Sequence, residues 1–404
     1  MWNFSERRIA MLKNLIHKTG NGIFMLLVLL FVADPTNTIL GLKMPVFALL
    51  LMYSLIFFKA DWTKIIYFII PVAAVMLSWV LAQMQGNHVD VESVKELIIS
   101  FTPLLLLMWA HHYDILRLSI FPVTLAAILV LLLFWTIFFV PETEGFIYNY
   151  MCEHGETIMM SNRAILGVKI FCMYPKSTAA FMPVFGWVAY CSLNKDKRTF
   201  FSVLATLILL HMFVISGTRS SVMLPVLMLG VLIFIYCRNG RWIRYIIYPG
   251  TILFCIAFFA LLLMLLMEKS EASNLVKYAH LISYKELFDA HPQYLLLGQG
   301  PGTEFYSEGF RRMTLKTEWT YLELLRNYGI LCIPILYVIL RPVYKLVKMA
   351  REHDSALAIA MAYLIYLVIA GTNPLLLSST GMLVLLSAYS YIACVENKSG
   401  NIVL

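Results

Sequence analysis

The chain has 404 residues, of which 61% are hydrophobic and 13% charged. Soluble globular domains carry roughly 45–50% apolar and about 25% charged residues, so a soluble globular fold, a disordered chain and a collagen-like repeat are excluded. Net charge is +8, but the basic residues stand in short clusters between apolar runs, which reads as membrane topology rather than nucleic-acid binding.

The apolar runs fall at 21–41, 44–58, 65–82, 97–110, 117–140, 167–192, 199–215, 221–237, 243–267, 320–341, 356–371 and 375–394. A span needs about 20 apolar residues, and in lipid a continuous run must be helical to satisfy its own backbone. The expected fold is therefore an all-α polytopic membrane protein of about 12 transmembrane helices, with residues 1–404 forming one integral membrane domain. Arg7, Arg8, Lys13 and Lys18 resemble the start of a signal peptide. Only Asp34-Pro35 follows the first run, not a small-residue cleavage site, so that run is read as a retained span. Seven cysteines without a CxxC pair predict neither a disulfide framework nor a zinc site.

Placing the N-terminus in the cytoplasm puts 18 of the 31 Lys and Arg on that side and 16 of the 23 acids on the other. The cytoplasmic side then nets +11 and the outer side −3, an asymmetry that supports both termini inside. Two outer segments, 141–166 and 268–319, are too long for turns. In the second, Leu275, Ala279, Ile282 and Leu287 recur at helical spacing and predict an amphipathic helix on the membrane surface.

Three polar clusters sit at outer helix ends. Ser161-Asn162-Arg163 opens the first, with Gly167, Lys169 and Tyr174-Pro175-Lys176-Ser177 following; Arg163 is either a snorkelling anchor or a group facing a cavity or anion. Ser216-Gly217-Thr218-Arg219-Ser220-Ser221 forms a short turn whose guanidinium fork suits a phosphate, with a lipid-phosphate anchor as the alternative. The third cluster holds His291-Pro292, Gly298-Gln299-Gly300-Pro301-Gly302, Arg311-Arg312 and Glu318-Trp319-Thr320-Tyr321. Four Gly or Pro in five residues mark a sharp turn, not a nucleotide loop, because no strand precedes them. Glu318 is a general-base candidate or a helix-capping acid. Arg311 and Arg312 are sugar or phosphate contacts or plain loop charge, and Trp319 is a belt residue by default.

In this order the clusters resemble the O-antigen polymerase and O-antigen ligase superfamily of bacterial envelope glycosyltransferases. Arg163, Gly167 and Pro175 match an Arg-x3-Gly…Pro pattern, and Thr218-Arg219-Ser220 a Ser/Thr-Arg-small turn. His291-Pro292 with Gly298, Gly300 and Gly302 match a His-Pro…Gly-rich loop, and Tyr321-Leu322-Glu323 with Gly329-Ile330 a helix start. The match covers about 160–340. Ligases of this kind usually carry His where this chain has Glu318, a departure that favours a polymerase.

The resemblance implies a GT-C-like, inverting, metal-independent enzyme of lipopolysaccharide biosynthesis in a Gram-negative inner membrane, its active site facing the periplasm. The donor would be an oligosaccharide on undecaprenyl diphosphate and the acceptor a sugar hydroxyl of another lipid-linked repeat. No cofactor, metal or nucleic acid is expected; membrane lipids and a chain-length regulator are the expected partners. Arg163 and Arg219 would stabilise the leaving diphosphate and Glu318 would deprotonate the acceptor. Arg311, Arg312, Lys176, Tyr321 and His291 would contact substrate, with His291 as reserve base. A ligase using lipid A-core is the first alternative and a lipid-linked oligosaccharide transporter the second, although no internal repeat favours transport.

Overall fold

The computed structural model describes residues 4–155, 157–165, 168–236, 249, 250, 253 and 272–400. The expected span at 243–267 therefore lies outside the described residues, apart from 249, 250 and 253. The chain is a membrane-embedded, mainly helical protein. Among the described residues six helical stretches are long and apolar enough to cross a bilayer: Met11–Ala33, Trp62–Met84, Ile115–Phe139, Thr320–Met349, Asp354–Gly371 and Ser379–Asn397. Four shorter apolar helices join them: Lys43–Phe57, Thr178–Leu193, Phe200–Ile215 and Ser220–Tyr236.

In chain order the helices are α1 (Phe4–Ala33), α2 (Lys43–Phe57), α3 (Ile66–Met84), α4 (Val91–Phe101), α5 (Ile115–Phe139), α6 (Thr143–Glu153), α7 (Met182–Leu193), α8 (Phe200–Ile215) and α9 (Arg219–Tyr236). After the undescribed stretch come α10 (Ala272–Ala290), α11 (Tyr294–Leu297), α12 (Thr320–Tyr328), α13 (Cys332–Met349), α14 (Asp354–Gly371) and α15 (Ser379–Gly400). Antiparallel hairpins β1–β2 (Ile158–Ile165 and Val168–Pro175) and β3–β4 (Phe305–Ser307 and Arg312–Thr314) complete the set.

Four apolar runs differ from the expectation; in one of them, 320–341, a 3-10 turn at Gly329–Leu331 divides α12 from α13. Residues 97–110 are not one α-helix: α4 stops at Phe101 and a 3-10 helix, Thr102–Trp109, carries the chain on. Pro103 lacks the N–H that continuing the α-helix would need. The run at 167–192 begins as strand β2, and its helix starts only after Pro175. The run at 21–41 ends as helix at Ala33, where the Asp34 carboxylate takes over, accepting from the backbone of Thr38, Ile39 and Leu40 at 2.8–3.4 Å. The two long polar segments are structured rather than looped: 141–166 holds α6 and β1, and 268–319 holds α10, α11 and β3–β4.

The bundle has two ends. At one, Trp109 donates to the Phe58 carbonyl, Tyr236 to the Asp354 carbonyl and Lys345 to Glu396, and the start of α1 and the end of α15 both lie here. At the other, the Thr380 hydroxyl at the start of α15 reaches the Phe31 carbonyl near the end of α1. This second end carries α10–α11 and both hairpins, and is called the loop end below. The outward-facing side chains are apolar, among them Leu49, Met52, Leu77, Leu132, Ile333 and Val368, whereas Ser54, Ser78 and Ser119 are buried. This arrangement suits a surface bathed in lipid.

Between apolar helices in lipid, close backbone approach replaces the hydrophobic drive. One such approach joins α7 to α14, whose Ala356, Ala358, Ala360 and Ala362 are all buried. A Cβ built on Gly186 would stand 2.6 Å from the Ala362 Cβ. Gly186→Leu should therefore overpack this seam and cost about 1–3 kcal/mol. Thermal unfolding in detergent checks this: the variant's midpoint should fall, whereas Leu207→Ala, on a lipid-facing position, should leave it within error.

Candidate functional site

A cavity of about 520 Å³ opens at the loop end. Its walls come from the α1–α2 turn (Pro35, Thr36, Asn37), the first turns of α2, one face of α4, the Gly-rich turn, α12 and the segment before α15. On α4, Ser93, Glu96, Leu97 and Ser100 line it at helical spacing. Two lysines, Lys43 and Lys316, and two glutamates, Glu96 and Glu323, supply its charge.

The Gly-rich turn forms a wall because it is stitched to α12 and to the turn between α3 and α4. Gln299 N donates to the Arg326 carbonyl at 2.6 Å, and the Asp90 amide donates to the Gly302 carbonyl at 2.9 Å. The Asn87 side chain donates to the Gln299 carbonyl at 2.7 Å. Gly298 (φ +76°) and Gly302 (φ +78°) adopt backbone that favours glycine, and a Cβ on either would meet a backbone oxygen, that of Asn327 or Asp90, at 2.5–2.6 Å.

Arg326 fastens the long loop to α12. Its Nε and Nη2 donate to Glu323 Oε2 at 3.0 and 2.7 Å, and Nη2 also donates to the Leu315 carbonyl at 2.8 Å. Nη1 donates to Gln299 Oε1, the Thr303 carbonyl and Thr303 Oγ1 at 2.7–3.2 Å, and the guanidinium lies 4.5 Å from the Phe305 ring centre. Glu323 Oε1 accepts from the Tyr284 hydroxyl at 2.6 Å and the Thr317 amide at 2.9 Å. Burial, with the Glu323 carboxylate beside it, pushes the Tyr284 phenol far above its usual range, so it remains a donor. This network is structural: every Arg326 N–H has an acceptor.

Glu318 lies outside the cavity lining, although Lys316 and Thr320 on either side belong to it. Its carboxylate pairs with Lys277 of α10 at 3.5 Å, both side chains about one-third exposed. Arg163 sits on β1 opposite Ile170 of β2, and Arg219 is the first residue of α9; their side chains lie outside the described residues, as does that of Lys169. Lys176 Nζ donates to the Gly155 carbonyl at 2.7 Å. Tyr321 donates to the Leu367 carbonyl at 2.9 Å and packs on α14. Arg311 and Arg312 are exposed, Arg312 over the Phe310 ring at 5.8 Å, and His291 stacks on Tyr294 at 5.0 Å. The described side chains of the expected set are thus not gathered in one cavity. Sequence reasoning missed Lys43, Glu96, Arg326, Asn327 and Tyr328; a Lys between two apolar runs and an acid–base pair three residues apart inside a run were the available signals.

The hairpin β3–β4 docks on α10 through His280, which is buried with Nδ1 2.8 Å from Ser307 Oγ and its ring 4.5 Å from Phe310. Burial holds its pKa below the usual value, against the opposing pull of Glu318 and Glu323 and alongside Lys277. Among the described residues no three His, Cys, Asp or Glu side chains come together as a metal-ligand set. Comparison with models of known protein families, with curated proteins and with solved structures returns no match.

Arg326→Ala would strand a buried carboxylate, a loss of about 3–5 kcal/mol. Limited proteolysis should then cut the 291–319 segment while the bundle stays protected, and Glu323→Gln with Arg326→Met should restore part of the protection. For His280 the unfolded chain binds the proton more tightly, so its contribution is complete well above pH 6.5 and is lost as pH falls below the ordinary histidine value. Relative to the intrinsic exchange rate at each pH, the protection of amides across 305–314 should fall between pH 7.5 and 5.5, and His280→Gln should flatten that dependence.

Proposed function

We propose that this chain is a membrane glycosyltransferase that moves a glycan from a polyprenyl diphosphate to a sugar hydroxyl of another lipid-linked unit, an O-antigen polymerase in kind. The observation that supports it is the 520 Å³ cavity at the loop end: part apolar, part charged, set at the rim of a lipid-embedded bundle. A substrate with a sugar head, an anionic linker and a hydrocarbon tail needs such a boundary. In the proposed orientation this end faces the periplasm of the inner membrane and both termini face the cytoplasm, following the Lys/Arg asymmetry. An acceptor on lipid A-core would make the protein a ligase instead.

Breaking the anomeric C–O bond releases a diphosphate that is already ionised near neutral pH. Such a leaving group needs charge stabilisation more than a proton, and Arg163 and Arg219 offer planar donor forks for it. The attacking hydroxyl must lose its proton in the transition state, and direct displacement inverts the anomeric centre. The base role falls to Glu318 by its place in the family pattern. Glu96 is the rival, because it lines the cavity and the other lining glutamate, Glu323, is committed to Arg326.

Purified protein incubated with synthetic undecaprenyl-diphosphate repeat units should produce a ladder of products. Arg163→Ala and Arg219→Ala should each slow it roughly 10²–10³-fold, and loss of the true base roughly 10²–10⁴-fold. Glu318→Gln and Glu96→Gln separate the two assignments: the variant that still makes a normal ladder is not the base. No ladder from the wild-type protein, with or without lipid A-core, would end the transferase reading.

A further inference from the structure

We infer that Lys43 anchors the phosphate of a lipid-linked ligand in the cavity, with the hydrocarbon tail leaving sideways between α2 and α4. The ligand class rests on the glycosyltransferase reading; the site itself rests on the geometry below.

Lys43 is 7% exposed and lines the cavity. Its ammonium has three donors. One goes to the Pro35 carbonyl at 2.6 Å, and Ser379 Oγ stands at a long 3.5 Å. Among the described residues no carboxylate forms an ion pair with it. The nearby Asp34 carboxylate is committed to the amides of Thr38, Ile39 and Leu40. Asp34 therefore balances it only at longer range, no described carboxylate touches it, and a single short acceptor serves its three donors; an anion in the cavity would supply the missing contact.

The tail path follows from the walls. The lining runs down α4 from Ser93 to the start of the 3-10 helix at Thr102, about 13 Å at ~1.5 Å per residue, from the polar rim into the apolar bundle. At the edges of this groove, Met44 of α2 and Ile99 of α4 are 41% and 46% exposed on the lipid-facing surface. A chain could therefore pass from bilayer to cavity without its tail crossing water.

The test is binding, not turnover. Protein in phosphatidylcholine nanodiscs is titrated with undecaprenyl diphosphate, then challenged with inorganic pyrophosphate or with nanodiscs rich in phosphatidylglycerol. Lys43→Met should weaken undecaprenyl diphosphate roughly 10–100-fold, the scale of one lost charge-assisted hydrogen bond, and Lys43→Arg should retain most of the affinity. Ile99→Trp, which leaves Lys43 in place and keeps the test open if Lys43→Met fails to insert, should weaken the lipid diphosphate but not the weaker pyrophosphate competition. Unchanged affinity in Lys43→Met, or in Ile99→Trp, overturns the site or its tail path respectively. Phosphatidylglycerol competing as well as the diphosphate would overturn the ligand class. Tight, Lys43-dependent binding without any ladder would sink the transferase reading and leave this site standing; a normal ladder from Lys43→Met would do the reverse.

Discussion

The loop end is held together by one buried guanidinium. Arg326 gathers Gln299, Thr303 and Leu315 from the long loop around α12, and through Glu323 it draws in Thr317 and Tyr284 of α10. A buried ion pair of this kind roughly breaks even in stability against an apolar replacement. What it contributes is register: five fixed N–H vectors admit few arrangements of the three loop carbonyl and amide acceptors they meet. The cavity's loop-borne walls, Pro301, Gly302, Leu315 and Lys316, are therefore placed by a residue that does not itself line the cavity.

The lipid-embedded bundle shapes the opposite wall by a different constraint. Backbone groups must be satisfied internally, yet α4 gives way to a 3-10 helix at Thr102. The 3-10 segment keeps i to i+3 hydrogen bonds and so remains saturated, but it is narrower and longer per residue than an α-helix. Beside it stands α2, which at 15 residues spans only about 22 Å, short of the ~30 Å hydrocarbon core. A short helix next to a thinned one leaves room that two full-length α-helices would close. The groove between them is a consequence of these two irregularities.

Hydropathy located the helical runs because burial in lipid demands unbroken apolar stretches, and it placed α10 from Leu275, Ala279, Ile282 and Leu287. It could not see that the buried face of α10 is the polar one, His280, Ser283 and Tyr284, with Leu275 and Ile282 turned outward. Nor could it separate strand β2 from a helix start: Val168–Pro175 is apolar and rich in β-branched and aromatic residues, and such a run has no period that distinguishes the two. The candidate site was legible at the level of segments, since the Gly-rich turn and the start of α12 do wall the cavity. It was not legible at the level of side chains. Glu318 and Thr320 are two residues apart, yet one turns to Lys277 and the other to the cavity, a choice set by the Trp319 indole donating to the Lys277 carbonyl and by Thr320 bonding the Asn373 carbonyl. Lys43 was lost among the outer-side charges because sequence cannot tell a lysine at a helix start that snorkels from one that points inward.

That inward lysine bears on how charge is distributed across the site. A diphosphate at the rim carries its negative charge at the boundary between water and hydrocarbon, where screening by solvent is weak and each cation counts for more than in bulk. A cation on the hydrocarbon side has to be built into the bundle and must tolerate burial when nothing is bound. Lys43 meets that requirement with the Pro35 carbonyl at 2.6 Å, the Phe31 ring at 5.3 Å and the Asp34 charge at longer range, which hold it in place and leave donors for a ligand. A site organised this way would favour a ligand whose charge sits at one fixed depth, with sugar above and hydrocarbon below, over a free anion that could choose its own depth.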